Sequence, residues 1–466
     1  MIKKLNSIKG QIGIYTFLDF SPKFVSFITL PLFLRIILPK YWGQIAILLI
    51  IQQIYVVLIR HGTSAELLII PEEVRNNLRY HLKIFAEMIT ISVFLLVFQN
   101  FLFKTNFFNF EYKINSLNWV LLSALFVTMS RHIRVTLNLQ NKMMPFVILS
   151  ILNLIFVPSF QVIYVLREIF KVGFSSSGTV SAYMIGYCLG LLMSFFPYVP
   201  SFLLSLNNEK YKKEKRYNNL KTAIFFQSIF IFLVSFQDRF LIEFYLESTD
   251  VAIYSAYDSI ARLAKLLPQG LITFITISFF GNKKSNFYEN NFFDTLKISS
   301  YIVLIICLSK YVFLDFLFPE IYTQNKIILT LLTVSSWIWA VTNLISINLI
   351  SKKKNSVFII SSSTAFILNL ILNIYLIPIY GILGSAISTF IAITVMSGIY
   401  LYNFDKVNEY FLNLKFFKDI FLPVALMIAL DLFINSQIIL FVSIIFLIVY
   451  LYSFVKLFKK ITDFEL

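Results

Sequence analysis

Charge is what this sequence has least of. Only 14% of its 466 residues are Asp, Glu, Lys or Arg, while 58% are hydrophobic, and the mean hydropathy is +0.79. A soluble chain of this length needs polar surface to cover its core. This one lacks it, which excludes an ordinary soluble globular protein. Cysteine is nearly missing. Cys188 and Cys307 stand apart in apolar segments, so neither a disulfide framework nor a zinc spacing exists, and both read as small buried hydrophobes. Histidine is scarce too. His81 falls in an inner loop, and His61 and His132 fall at membrane positions, where a satisfied buried imidazole outweighs catalysis. There is no nucleophile elbow, phosphate-binding glycine loop or metal-ligand cluster. The short alternating segments of a β-barrel are also missing.

What the chain does have is apolar stretches of about 18 residues or more, repeated along its length and each long enough to cross a bilayer. They predict fourteen spans: 12–38, 44–66, 84–103, 117–137, 143–165, 179–204, 222–246, 251–280, 296–318, 326–350, 356–377, 381–402, 420–434 and 438–456. The basic start MIKKLNSIKG resembles a signal peptide. The apolar run after it contains Asp19, Pro22 and Lys23 and has no small-residue cleavage site, so it reads as an uncleaved first span. With the N-terminus inside, the inner segments carry 24 Lys and Arg and the outer loops six. That bias places both termini in the cytoplasm and accounts for most of the net charge of +16. The run NNEKYKKEKRYNNLK at 207–221 is then an inner loop flanking two spans, not a nucleic-acid site.

That loop divides the chain. NSIKG at 6–10 and NNLKT at 218–222, PKYWGQIA at 39–46 and TDVAIYSA at 249–256, and NLQNK at 138–142 and NLISK at 348–352 recur at a nearly constant offset. The expected fold is an all-α polytopic membrane protein of about 14 transmembrane helices: two six-helix bundles in parallel repeat plus two C-terminal helices. The expected divisions are an N-terminal bundle (1–206), a cytoplasmic basic linker (207–221), a second bundle (222–402), and two further spans with a cytoplasmic tail (403–466). An even number of spans per half gives both halves one orientation, with substrate expected between them.

Ionisable groups inside spans are expensive and persist where they face a cavity or a partner. Here they are Asp19, Lys23, Arg60, Arg131, Arg134, Asp238, Arg239, Glu243, Asp258, Arg262 and Lys265. Asp19–Lys23, Arg239–Glu243 and Asp258–Arg262 are i,i+4 pairs that can neutralise each other on a helix face. That purely structural reading leaves Arg60, Arg131, Lys265 and Asp238 over. The surplus of cations points to a polar, positively charged cavity suited to an anion, since guanidinium matches phosphate and carboxylate bidentately. Lys23, Arg60, Arg131, Arg239, Arg262 and Lys265 are therefore the candidate substrate-binding cations. Asp19, Asp238 and Asp258 are the candidates for charge pairing or coupling. Asp238 has no base three or four residues away, so a cation from another span, Lys265 or Arg131, is expected to hold it. Tyr254 and Tyr257 are candidates for stacking on sugar. No catalytic residue, metal site or cofactor is expected.

Three stretches resemble a known family. LPLFLRIILPKYWGQIAIL at 30–48 is similar to its first span and Pro-x-Tyr-x-Gly turn, and DRFLIEFYLESTDVAIYSAYDSI at 238–260 to its seventh and eighth spans. LNLILNIYLIPIYGILGSAIST at 368–389 is similar to its Asn-rich eleventh span, Pro-x-x-Gly turn and small-residue twelfth span. The span count and the basic loop after span 6 fit as well. The family is the Wzx-type O-antigen and polysaccharide flippases of the multidrug/oligosaccharidyl-lipid/polysaccharide exporter superfamily. Where the family often has an acid after span 2, this chain has Arg60, His61 and Gly62. The resemblance implies a lipid-linked oligosaccharide carried on undecaprenyl pyrophosphate and flipped across the cytoplasmic membrane by alternating access, for O-antigen or capsular polysaccharide synthesis. A coupling ion, proton or sodium, belongs to that expectation, as do membrane lipids, a polysaccharide polymerase and a chain-length regulator as partners. The alternatives are a cation-coupled exporter of another amphipathic substrate, which would favour an acidic cavity, and a membrane-embedded polymerase, which would carry a large outer loop.

The orientation is open to direct measurement. A periplasm-active reporter fused after Lys215 is expected to be silent and one fused after Lys113 active; the opposite pattern would reverse the topology.

Overall fold

In a hydrocarbon layer every backbone N–H and C=O must find its partner within the chain, so long apolar segments have little choice but to be helical. The computed structural model describes residues 28–60, 76–104, 114–140, 143–172, 178–204, 206, 217–265, most of 300–323, 325–351 and 355–404. The expected spans 420–434 and 438–456, together with Asp19 and Lys23, lie outside the described residues. After a helical stretch at 28–36, the chain forms α1 (Pro39–Arg60), α2 (Leu78–Lys104), α3 (Ile114–Leu139), α4 (Met143–Val172), α5 (Gly178–Phe195) and α6 (Tyr198–Leu204). There follow α7 (Tyr217–Tyr245), α8 (Ser248–Ala261), a 3-10 turn at Glu320–Tyr322, α9 (Ile327–Ser351), α10 (Asn355–Tyr380) and α11 (Ile382–Tyr402). No β-strand occurs among the described residues. Eight helices there are long and apolar enough to cross a membrane, and the protein is an all-helical, polytopic membrane protein.

Several boundaries differ from the hydropathy reading for local reasons. Helix α2 begins ahead of the expected 84 because Asn77 caps it: its Oδ1 accepts the backbone N–H groups of Arg79 (3.0 Å) and Tyr80 (3.3 Å). His81 is therefore a helical, buried residue rather than a loop residue. Helix α4 runs past the expected 165 to Val172, with Pro158 inside it, so Arg167 and Lys171 lie in its last turns and not in a loop. The expected span 179–204 is two helices, parted at Pro197, which has no N–H to give to a continuing helix. Helix α7 begins within the expected basic linker, at Tyr217.

Two compact units are distinguished, one within residues 36–236 and the other drawing on residues 237–466 and 1–35. Inside the first, α1 packs on α3, α3 on α5 and α4 on α5. Inside the second, α8 packs on α9, α9 on α11 and α10 on α11. The same neighbour pattern thus occurs twice. The helix starts move from 39 to 248, 114 to 327, 143 to 355 and 178 to 382, a step of about 210 residues that matches the short sequence repeats. Hydroxyls buried in these apolar helices are satisfied by the preceding turn, as with Thr128 on the Ala124 carbonyl (2.7 Å) and Ser388 on that of Gly384 (2.8 Å). Exposed Phe94, Val97, Phe98 and Phe101 on α2, and Ile367, Ile371, Ile374 and Tyr375 on α10, form the apolar faces suited to lipid.

Glycine sets how closely these helices approach. At Gly381, φ is 60°, which gives the tight turn between α10 and α11, and Gly384 lets α11 lie directly on the Leu376 carbonyl. A Cβ on Gly186 would sit 2.5 Å from the Phe160 carbonyl oxygen, and one on Gly190 would sit 2.6 Å from Val157 Cα. Both obstacles are backbone and cannot swing away. Gly190→Ala is accordingly expected to destabilise the protein by about 1–3 kcal/mol, the usual cost of overpacking. Thermal unfolding followed by size exclusion in detergent would register it. Gly398→Ala, where a Cβ meets nothing within 4 Å, is expected to leave the midpoint unchanged.

Candidate functional site

Helices α7 and α8 are joined by only Leu246 and Glu247, so the chain doubles back and residues equidistant from that turn come face to face. Asp238 meets Tyr254, and Arg239 meets Ser255, each pair one residue out of exact symmetry about the turn. The turn is fastened by Ser248, whose hydroxyl donates to Glu243 Oε1 at 2.6 Å.

The facing residues form one enclosed network. Arg239, 4% exposed, sends Nε to Ser255 Oγ (3.0 Å), pairs with Asp258 Oδ2, and has its other guanidinium nitrogen 3.6 Å from Asp238 Oδ1. Asp238, 2% exposed, accepts the Tyr254 hydroxyl at 2.6 Å and the Arg239 backbone N–H at 2.9 Å. The Arg239 guanidinium also lies over the Tyr254 ring, 5.5 Å from its centroid. The Tyr254 hydroxyl reaches Thr389 Oγ1 on α11 at 3.4 Å, which ties the hairpin to the small-residue helix. Asp258 is shared: Arg262 approaches the same Oδ2 at 2.5 Å. Two carboxylates and two guanidiniums thus balance. Lys265 rests its ammonium 5.5 Å from the centre of the Trp339 ring.

This geometry corrects two pairings expected from helical spacing. Arg239 does not pair with Glu243, whose Oε1 holds Ser248; Arg239 crosses the hairpin to Asp258 instead. Asp238 is held not by Lys265 or Arg131 but by Tyr254 and by Arg239 beside it. Neighbouring side chains point about 100° apart on a helix, yet a long guanidinium can bend back across its own helix while the tyrosine arrives from the facing one. Asp258–Arg262 forms as expected, as one arm of the larger network. Tyr254 and Tyr257 are 0% and 1% exposed, and Tyr254 serves the ion network.

In the other unit the balance differs. Arg60 is the last residue of α1, and Arg131 of α3 lies near enough to act on it as a like charge. Among the described residues no carboxylate pairs with Arg131. Beside them, His81 Nδ1 and His132 Nε2 share a hydrogen bond of 2.9 Å between α2 and α3, both rings fully enclosed, and the Nδ1 of His132 has no partner.

The inventory of intramembrane charges drawn from the sequence omits Lys310. It lies within the apolar segment 296–318, is 2% exposed and donates to Thr330 Oγ1 at 2.6 Å. The same hydropathy scan marks it. The amides Asn369 and Asn373 on α10 are fully buried and joined at 3.0 Å. They share a face by their i,i+4 spacing, but nothing in the sequence says that face is internal. Among the described residues no cluster of three or more His, Cys, Asp or Glu is placed to hold a metal ion.

The architecture is shared with solved structures of a lipid flippase and of MATE transporters. The chain superposes on lipid II flippase MurJ in its inward closed conformation with a TM-score of 0.65, at 16% identity over 96% of this chain and 98% of that one. It superposes on the MATE transporter VcmN of Vibrio cholerae with a TM-score of 0.57, at 14% identity over 87% and 98%. With a MOP superfamily transporter from Pyrococcus furiosus the TM-score is 0.52, at 14% identity over 86% and 97%. These likenesses establish the fold. No protein-family model matches the chain, and no curated protein does at the level of sequence.

The network makes unequal demands on its two arginines. Removing Arg239 leaves buried Asp238 without a cation and Asp258 with Arg262 alone, a loss of about 3–5 kcal/mol for a broken buried pair. Arg262, whose side chain is 33% exposed, is screened by solvent and expected to cost under about 1 kcal/mol. Arg239→Ala is thus expected to lower the thermal midpoint of the purified protein sharply, and Arg262→Ala only slightly. Equal effects would show that Asp258 does not discriminate between them.

Proposed function

We propose that the protein translocates a lipid-linked oligosaccharide, its sugar carried on undecaprenyl pyrophosphate, across the cytoplasmic membrane by alternating access. The observation that carries this reading is Arg131, a cation inside a membrane-spanning helix with which no carboxylate pairs among the described residues. Such a cation is costly in lipid unless a partner or ligand supplies negative charge, and a pyrophosphate does so with paired oxygens that suit guanidinium forks. A cationic drug would be repelled by Arg131, which disfavours an exporter of cations. The fold shared with a lipid II flippase is in keeping with a lipid-linked substrate.

In this reading Arg60 and Arg131 bind the anionic head group. Arg262 and Lys265 are further candidates for contact with it. Arg239, committed to Asp238 and Asp258, holds the α7–α8 hairpin. The same network supplies a candidate for coupling: Asp238, enclosed with a phenol hydroxyl and a guanidinium, exchanges a proton or binds a sodium ion during the cycle. The product would feed O-antigen or capsular polysaccharide synthesis, alongside a polymerase and a chain-length regulator.

The head-group role is tested in cells whose surface polysaccharide depends on this protein. Arg131→Ala is expected to reduce export about tenfold or more, the scale of one lost charge-assisted interaction, with unchanged protein abundance. Arg131→Lys is expected to recover part of it, since a point charge keeps the attraction without the fork. Normal polysaccharide in cells carrying only Arg131→Ala would overturn the reading.

A further inference from the structure

Helices α4 and α5 pack closely against each other. Gly186 and Gly190 bring α5 against the backbone of α4 around Val157 and Phe160. Where the last turns of α4 face the start of α5, the first turns of α3 complete the wall of a cavity of about 720 Å³ inside the first unit. That volume lies within the range of small-ligand sites. Its α4 wall is one helix face, Tyr164, Arg167, Glu168 and Lys171, and Trp119 of α3 adds a second ring. Neither the ion network of α7 and α8 nor Arg60 and Arg131 contributes to it.

The polar groups of this wall are placed rather than scattered. Glu168 turns its carboxylate onto the start of α5, into the space that any side chain at Gly178 would need. Asn118 accepts a hydrogen bond on its Oδ1 from Gln99 Nε2 (2.6 Å), and Gln99 in turn accepts the Tyr55 hydroxyl (2.7 Å). With its oxygen committed, the Asn118 amide keeps both N–H donors for a ligand. Arg167 and Lys171 are exposed cations one turn apart.

The geometry points to a binding site for an acidic saccharide, a sugar unit bearing a carboxylate. Two aromatic rings offer faces for the C–H side of a pyranose. Arg167 and Lys171 match a carboxylate, and Glu168 and the Asn118 amide match hydroxyl and acetamido groups from either side of the hydrogen bond. A carboxylate between two cations suits a polyhydroxylated ligand of low charge better than a phosphate, which Glu168 would repel. The site rests on the translocation reading only for which saccharide reaches it in the cell; binding itself is a property of the purified protein.

The test is calorimetry and Trp fluorescence on the full chain in nanodiscs of neutral lipid. The ligands are a disaccharide of glucuronic acid and N-acetylglucosamine, the neutral N-acetylglucosamine disaccharide, and glycerol 3-phosphate as a lipid head-group mimic. The acidic disaccharide is expected to bind at least tenfold tighter than the other two. Arg167→Ala should weaken it about tenfold, the scale of one charge-assisted contact. Gly178→Ala should weaken it comparably by evicting the Glu168 carboxylate, while raising helix propensity and leaving the fold intact. No binding up to about 10 mM, beyond the range of a useful site, would overturn the inference. So would glycerol 3-phosphate binding as well as the sugar, because the cavity would then be an anchor for lipid head groups. Loss of polysaccharide export in the Arg131 variants with sugar binding retained would separate this site from the translocation reading, and the converse result would sink this site alone.

Discussion

A guanidinium taken out of water is costly without a counter-charge, and in the α7–α8 hairpin Asp258 is where that constraint is met. One carboxylate oxygen serves Arg239 from the facing helix and Arg262 from its own. Asp238 balances the remaining charge and is itself held by Tyr254. The Tyr254 hydroxyl carries the constraint outward to Thr389, so the small-residue helix α11 is positioned by the same network.

The two units handle buried polarity differently. In one, Asp238, Arg239, Asp258 and Arg262 form a charge-matched network, while Lys310 is held by the Thr330 hydroxyl and Lys265 lies against Trp339. In the other, His81 and His132 share a hydrogen bond and, among the described residues, the Nδ1 of His132 has no partner. A buried ion pair, once formed, is costly to break by removing one partner. This asymmetry is superimposed on helices that otherwise repeat the same neighbour pattern. Chemistry has diverged between the units while packing has been kept.

Packing itself is governed by a few small residues. Without a hydrophobic drive between helices in lipid, close contact depends on shape. Gly186, Gly190 and Gly384 permit backbone-to-backbone approach. Beside the last turns of α4 a cavity has polar groups at its wall, Glu168 lying against Gly178 and Asn118 held by Gln99.

Hydropathy alone determined the class of this protein, its helical content and the rough limits of most helices, since a bilayer permits so few backbone solutions that composition nearly decides them. The repeat was also legible, through short motifs whose spacing reappears as the step between corresponding helices. The ionisable residues of the hairpin were found the same way, because a charge within an apolar run is conspicuous. Their partners were not. Helical spacing names neighbours along one helix, and so suggested Glu243 for Arg239 and a distant cation for Asp238. The actual contacts run across a turn and depend on how two helices rotate about their axes. The same limit hid the His81–His132 pair, the direction of the Asn369 and Asn373 face and the cavity between α4 and α5. Each depends on two segments meeting at one depth and angle, and that is set by the summed packing of all the helices around them. Local sequence carries the side chains to the membrane; only the tertiary arrangement decides which of them face one another.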